Sequence, residues 1–255
     1  MRTTRCYPVR GRSRPLARLL AVAAALAAAG CGGSSSTSPY TGPTGTFKGT
    51  LVGESGSGVL TLSFPASSAS RSVSPSRFAL VREAEAASGP VTVTGTLALT
   101  GGSTIQLTGT YNASAEPQLV LAGGGYGIAG DYTQTNGQFN GTSTFPDGKT
   151  GIWTVSADAA SVYVFCGSYT STQGNGGGTW NLVLDKNNNL SGAATVAGQL
   201  QGTFTPGSGA ITVTYTGGTA SGTLNPTTGG GSGSYSAPNI GQGDAGDWTA
   251  NTGGC

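Results

Sequence analysis

Apolar and polar residues alternate along most of the chain after residue 46. Leu60, Leu62 and Phe64 are separated by Thr61 and Ser63. Val91, Val93, Leu97 and Leu99 fall on one face, with Thr92, Thr94 and Thr96 on the other. Ile105, Leu107 and Tyr111 alternate with Gln106, Thr108 and Thr110, and Ile211, Val213 and Tyr215 with Thr212 and Thr214. Successive strand side chains point to opposite faces, so each run predicts a half-buried strand with an apolar inner row and a Thr-rich wet row. That pattern belongs to antiparallel sheet. The breaks between runs carry turn residues. Asn136-Gly137 predicts a type I′ hairpin, and Pro146-Asp147-Gly148-Lys149 and Asp185-Lys186-Asn187-Asn188 predict further tight turns. Such signals recur about every 8 to 12 residues, as in an all-β sandwich or barrel.

The text also repeats. Phe47-Lys48-Gly49-Thr50-Leu51 resembles Phe165-Cys166-Gly167-Ser168-Tyr169, and Gly58-Val59-Leu60-Thr61-Leu62 resembles Gly178-Thr179-Trp180-Asn181-Leu182. Leu107-Thr108-Gly109-Thr110-Tyr111 resembles Leu200-Gln201-Gly202-Thr203-Phe204, and Gly151-Ile152-Trp153-Thr154 resembles Gly246-Asp247-Trp248-Thr249. The four pairs keep their order. The first copy runs 106 positions from Phe47 to Trp153 and the second 83 from Phe165 to Trp248. The excess of 23 is close to the length of a compositionally odd stretch, residues 65–89, which holds Arg71, Arg77, Arg82, Glu83 and Glu85. Two copies of one β unit follow, residues 46–157 and 162–255, the first with an insertion at 65–89. Within it, residues 76–87 could form a short helix with Phe78, Val81 and Ala84 on one stripe. Glu83 and Glu85 late in that helix oppose its dipole, and a disordered loop suits the segment as well.

The expected fold is all-β: an antiparallel up-and-down meander forming two tandem small barrels. The second copy has room for about eight strands of five or six residues, a length suited to a small globular sheet. An outer-membrane barrel needs strands of about 9 to 11 residues. Gly stands beside a large residue at Gly151 and Trp153, Gly202 and Phe204, and Gly246 and Trp248. That pairing lets a curved sheet close and a ring lie over a neighbouring Gly. A two-sheet β-sandwich is the alternative; a parallel solenoid would demand a more regular period.

Composition changes the picture in three ways. Gly accounts for 46 of 255 residues, so many positions are built for close approach or turns. There is no His, which excludes a His-containing triad, a His metal site and a His pH switch. The chain has 12 basic and 10 acidic residues, but six of the basic ones, Arg2, Arg5, Arg10, Arg12, Arg14 and Arg18, precede residue 19. The remainder holds 6 basic against 10 acidic residues, a net charge of −4, which argues against nucleic-acid binding.

Those arginines precede an apolar run, residues 19–31, that ends in Ala28-Ala29-Gly30-Cys31. A basic segment followed by about a dozen small apolar residues has the form of a secretory signal and is too short to span a membrane as a helix. The ending resembles the lipobox of bacterial lipoproteins, although Leu is commoner where Ala28 stands. The resemblance implies cleavage before Cys31 and a diacylglyceryl group on its thiol. Residues 1–30 would be the signal peptide and 31–45, rich in Gly and Ser, a flexible tether. Gly32 rather than Asp after the cysteine implies, by the same resemblance, sorting to the outer membrane. In an exported chain the remaining cysteines, Cys166 and Cys255, are expected to form a disulfide. Cys166 lies in the first strand of the second copy and Cys255 follows its last strand, so the bond would staple a closed barrel.

Candidate chemistry is sparse. The acids Glu54, Glu83, Glu85, Glu116, Asp131, Asp147, Asp158, Asp185, Asp244 and Asp247 fall mostly at predicted turns. Asp244 and Asp247, three apart in a Gly-rich stretch, are weak candidates for a Ca²⁺ site, with a plain turn as the alternative. Trp153, Trp180, Trp248, Tyr126, Tyr132, Tyr169 and Tyr235 either fill the inner row or, if several point outward, stack on sugars or small ligands. Asn112 and Asn140 head N-glycosylation patterns that a bacterial lipoprotein would not use. The expectation is a membrane-anchored envelope lipoprotein, not an enzyme and without cofactor, whose β domains bind a ligand or an envelope partner. The alternatives are a structural lipoprotein without ligand, and a hydrolase using converging carboxylates.

Overall fold

A computed structural model of the chain describes residues 42–66, 89–239, 243–253 and 255. Cys31, the signal peptide and nearly all of the tether lie outside the described residues, as does most of the insertion, residues 67–88. The described chain is two closed eight-stranded barrels in tandem. The first is formed by β1 (Gly45–Gly53), β2 (Gly56–Phe64), β3 (Val91–Leu99), β4 (Thr104–Tyr111), β5 (Leu119–Gly123), β6 (Tyr126–Thr133), β7 (Gln138–Thr144) and β8 (Thr150–Ser156). A 3₁₀ turn, Ala159–Ser161, leads to the second. That barrel is formed by β9 (Tyr163–Ser171), β10 (Gly177–Leu184), β11 (Asn189–Ala194), β12 (Gly198–Thr205), β13 (Ala210–Tyr215), β14 (Gly218–Leu224), β15 (Gly231–Ala237) and β16 (Asp244–Ala250). Within each barrel every strand pairs antiparallel with its sequence neighbours, and the barrel closes by pairing its first and last strands, β1 with β8 and β9 with β16. The up-and-down barrel, not the sandwich, is the architecture. Its strands run from five to nine residues, longer on the whole than the alternation suggested.

Alternation decides the faces. Leu60, Leu62, Val93, Leu97, Leu107 and Leu121 point inward and are 0–1% exposed, while Thr92, Thr94, Thr108 and Thr110 are exposed on the outer row. One departure concerns the turn at Asn136-Gly137. Thr133 pairs with Gln138, so four residues make the connection, and only Gly137 among them has positive φ, 63°. A two-residue type I′ turn needs positive φ at both central positions.

The registers of the two barrels coincide. Leu51 pairs with Trp153 in β8, and Tyr169 with Trp248 in β16. Gly130 pairs with Gly141, and Gly222 with Gly233. In each barrel the last-strand Trp lies across that Gly–Gly pair. The Trp153 indole N–H donates to the carbonyls of Ala129 and Thr142 at 3.1 and 3.0 Å, and the Trp248 indole N–H to those of Ser221 and Ser234 at 3.2 Å each. Two missing Cβ atoms are what let the ring reach the backbone: a Cβ on Gly130 would sit 2.6 Å from the Trp153 ring, and one on Gly233 2.5 Å from that of Trp248. The glycine under each ring thus lies on neighbouring strands, not two residues away on the same strand. Burying an indole with its N–H satisfied avoids the penalty of an orphaned donor.

The barrels pack against each other within one compact unit. On the outer face, Asn181 Nδ2 donates to Thr50 Oγ1 at 2.6 Å, and Thr50 Oγ1 donates to the Gly58 carbonyl at 3.0 Å. Gln138 Nε2 reaches Ser156 Oγ at 3.0 Å and Ser191 Oγ at 3.2 Å. These side chains are buried polar groups with partners, and Val162, Val164 and Val183 with Val59 form the apolar part of the seam.

Candidate functional site

The inner rows of the barrels differ at one end. In an eight-stranded barrel the interior is just wide enough for side chains to fill it or for one small ligand. The first barrel is filled. Phe47, Phe64, Tyr111, Tyr132 and Phe139 cluster at one end with ring centroids 4.8–6.2 Å apart. At the other end Phe145, 2% exposed, packs on Tyr126 at 5.5 Å, above Leu97, Ile105 and Ile128.

The matching register places Ala194, Gly198, Ala220 and Ala237 where the first barrel has Leu97, Ile105, Ile128 and Phe145. Four large side chains become small ones at the same end. At the opposite end of the second barrel the core positions keep large side chains, Phe165, Leu184, Leu190, Phe204 and Leu224. The result is a cup open between the β9–β10, β11–β12, β13–β14 and β15–β16 connections. It encloses about 710 Å³ between its atoms, counting the mouth, and about 100 Å³ in which the centre of a water-sized molecule can move.

Aromatic rings replace smaller side chains around this space. Trp180 stands where the first barrel has Leu60, Tyr169 where it has Leu51, and Tyr235 where it has Ser143. The Gly123–Tyr126 pair becomes Tyr215–Gly218, which moves the ring one strand over. Trp180 and Trp248 meet edge to face at 5.5 Å, as do Tyr169 and Tyr235 at 5.6 Å. The Tyr169 hydroxyl donates to the Thr195 carbonyl at 2.5 Å, which ties the wall to the β11–β12 turn. At the tip of that turn Val196 is 86% exposed with φ of +72°, and it lines the mouth. A β-branched residue in the left-handed region is strained, and an exposed Val gains nothing from burial there.

Asp244 is the acid lining the cup. Ser171 Oγ donates to its Oδ1 at 2.5 Å, Asn175 Nδ2 to the same oxygen at 3.2 Å, and the Tyr235 hydroxyl to Oδ2 at 2.8 Å. The hydrogen bond from Ser171, followed by those from Tyr235 and Asn175, holds the carboxyl below its ordinary range. Burial, together with its bond to Asp244, pushes the Tyr235 phenol up to about 12. The mouth therefore keeps the Asp244 carboxylate ionised and the Tyr235 phenol neutral through the physiological range.

The remaining sequence candidates separate. Asp244 and Asp247 lie in strand β16, not in a loop, and an odd spacing sends them to opposite faces: Asp244 inward, Asp247 exposed outside. They share no ligand, and no group of three or more His, Cys, Asp or Glu converges among the described residues. Cys166 and Cys255 are joined, with Cα atoms 5.2 Å apart, on the outer face beside Val164 and Val183 and away from the cup. Trp153 and Tyr132 fill the first barrel, whereas Trp180, Trp248, Tyr169 and Tyr235 wall the cup. Tyr215, Val196 and the small residues Ala194, Ala220 and Ala237 join the site without having been singled out by sequence. Compared with family models, curated proteins and solved structures, the chain matches none.

Proposed function

We propose that the second barrel binds a small, largely apolar molecule in its aromatic cup, and that the first barrel is its filled structural counterpart. The observation that supports this is the replacement of four core side chains by Ala or Gly at one end of one barrel only. Those positions hold Leu or larger in the other copy, where burial stabilises the fold. A natural core left unfilled beside new aromatic walls fits ligand binding better than a purely structural role. The space is near that of a cavity known to accept a single benzene-sized ring. The proposal carries no catalytic step. By its resemblance to bacterial lipoproteins, the protein would present this cup from the cell envelope, tethered through a lipid on Cys31.

Two experiments test it. Titration with a panel of one-ring compounds should shift the emission of Trp180 and Trp248 saturably, and Ala237→Phe should abolish that response in a protein with an unchanged fold. A wild-type protein that binds none of the panel would remove the cup reading. Separately, Cys31→Ser should remain unprocessed or leave the membrane fraction. If it is processed and fractionates like wild type, the anchor reading is wrong and the cup is untouched.

A further inference from the structure

Resting on the reading of the cup as a binding site, we infer that its ligand is a small organic cation: an ammonium group on a one-ring or short-chain apolar body. Asp244 lines the mouth as an ionised carboxylate, and all three of its side-chain hydrogen bonds come from neutral donors, Ser171, Asn175 and Tyr235. The backbone N–H of Ala245 also donates to it, so every donor on the carboxylate is neutral and its charge is left uncompensated. Among the described residues no basic side chain answers it. The second barrel has a single Lys, Lys186, in the β10–β11 turn at the opposite end, where it pairs with Asp158. Residues 240–242, which precede Asp244 in sequence, are Ile, Gly and Gln and carry no charge.

The first barrel sharpens the contrast. The position equivalent to Asp244 is Lys149, across the hairpin from Phe145 as Asp244 is across from Ala237. Lys149 faces Glu54 at 3.5 Å. The copy with the plug thus has a lysine paired with an acid, and the copy with the cavity has a carboxylate with no cationic partner among the described residues. Trp180, Trp248, Tyr169, Tyr215 and Tyr235 line the same cup as that carboxylate. Aromatic rings attract a desolvated cation through their quadrupole and repel an anion, so walls and carboxylate favour the same charge. The body of the ligand would fill the space left by the missing Leu, Ile and Phe side chains, and its ammonium would sit at the mouth.

The test is calorimetric titration of the full chain with three compounds of matched shape: phenethylamine, 2-phenylethanol and 3-phenylpropionate. The amine should bind at least about tenfold more tightly than the alcohol, and the acid should bind weakest. Asp244→Asn should bring the amine down to the affinity of the alcohol and so abolish the difference between the two. Should that variant fail to fold, the wild-type pH profile replaces it: amine affinity should fall as acid protonates Asp244, with alcohol affinity flat. Equal binding of amine and alcohol, or a flat amine profile, overturns the charge preference while leaving the cup intact. Binding of neither overturns the cup and the preference together.

Discussion

Phe145 and Ala237 occupy the same place in two barrels of matching register. Phe145 bonds across its hairpin to Lys149, and Ala237 pairs with Asp244. Phe145 is buried under Tyr126 and against Gly53 and Gly151; Ala237 is buried at the wall of a cavity. Phe145→Ala should therefore cost about 3–5 kcal/mol, the range for removing a buried ring from a packed core. Urea unfolding would measure it. A loss below about 1 kcal/mol would mean that this end of the first barrel is not a packed core.

The Gly–Gly pair beneath each Trp should be intolerant of even one methyl group. A Cβ at Gly233 would lie 2.5 Å from the Trp248 ring. Gly233→Ala should destabilise by at least about 1–3 kcal/mol and alter the near-UV circular dichroism of the tryptophans. An unchanged spectrum with wild-type stability would contradict the placement of the ring.

Cys166 and Cys255 are 89 residues apart, and the chain-entropy argument gives such a loop about 4–5 kcal/mol as an upper figure. The strand pairing of β9 with β16 and the bond from Asn251 N–H to the Cys166 carbonyl at 2.8 Å already close the barrel. Cys255→Ser should lower the melting temperature without opening the barrel, and reductant should lower wild type to the same value. Loss of the β-sheet signal at room temperature would show instead that closure depends on the bond.

Tyr235 should titrate late. Its phenol is raised from 10.0 to about 12, so between those values the unfolded chain has released a proton that the folded chain retains. Stability from this group is full below pH 10 and is lost as pH rises towards 12. Absorbance at 295 nm should show a delayed tyrosinate component that Tyr235→Phe removes. If the variant titrates like wild type, the delayed component does not belong to Tyr235.

Ser143 is the buried hydroxyl left without a hydrogen-bond partner among the described residues, at the position where the second barrel has Tyr235. An unsatisfied buried group costs about 1–3 kcal/mol, so Ser143→Ala should be neutral or stabilising. A clear drop in the urea midpoint would indicate that the hydroxyl has a partner.

Alternation of apolar residues with Thr sufficed to place most strands, because a barrel wall sees core on one side and water on the other and each strand records both. The repeated Gly-x-large motifs were enough to show two copies, since closure demands the same small and large positions each time. Charge and the absence of His removed several chemistries for reasons that need no coordinates. The cup was not legible. Ala194, Gly198, Ala220 and Ala237 are ordinary residues in a Gly- and Ala-rich text. Their meaning lies in what stands opposite them in the other barrel, which only strand register reveals. Asp244 looked like a partner of Asp247 because sequence spacing cannot say that the segment is a strand, where that spacing separates two side chains to opposite faces. Local pattern is set by which face each residue shows to water, so the chain could carry it residue by residue. The vacancy that makes a site is the sum of side chains from eight strands, and only closing the barrel brings them to one volume.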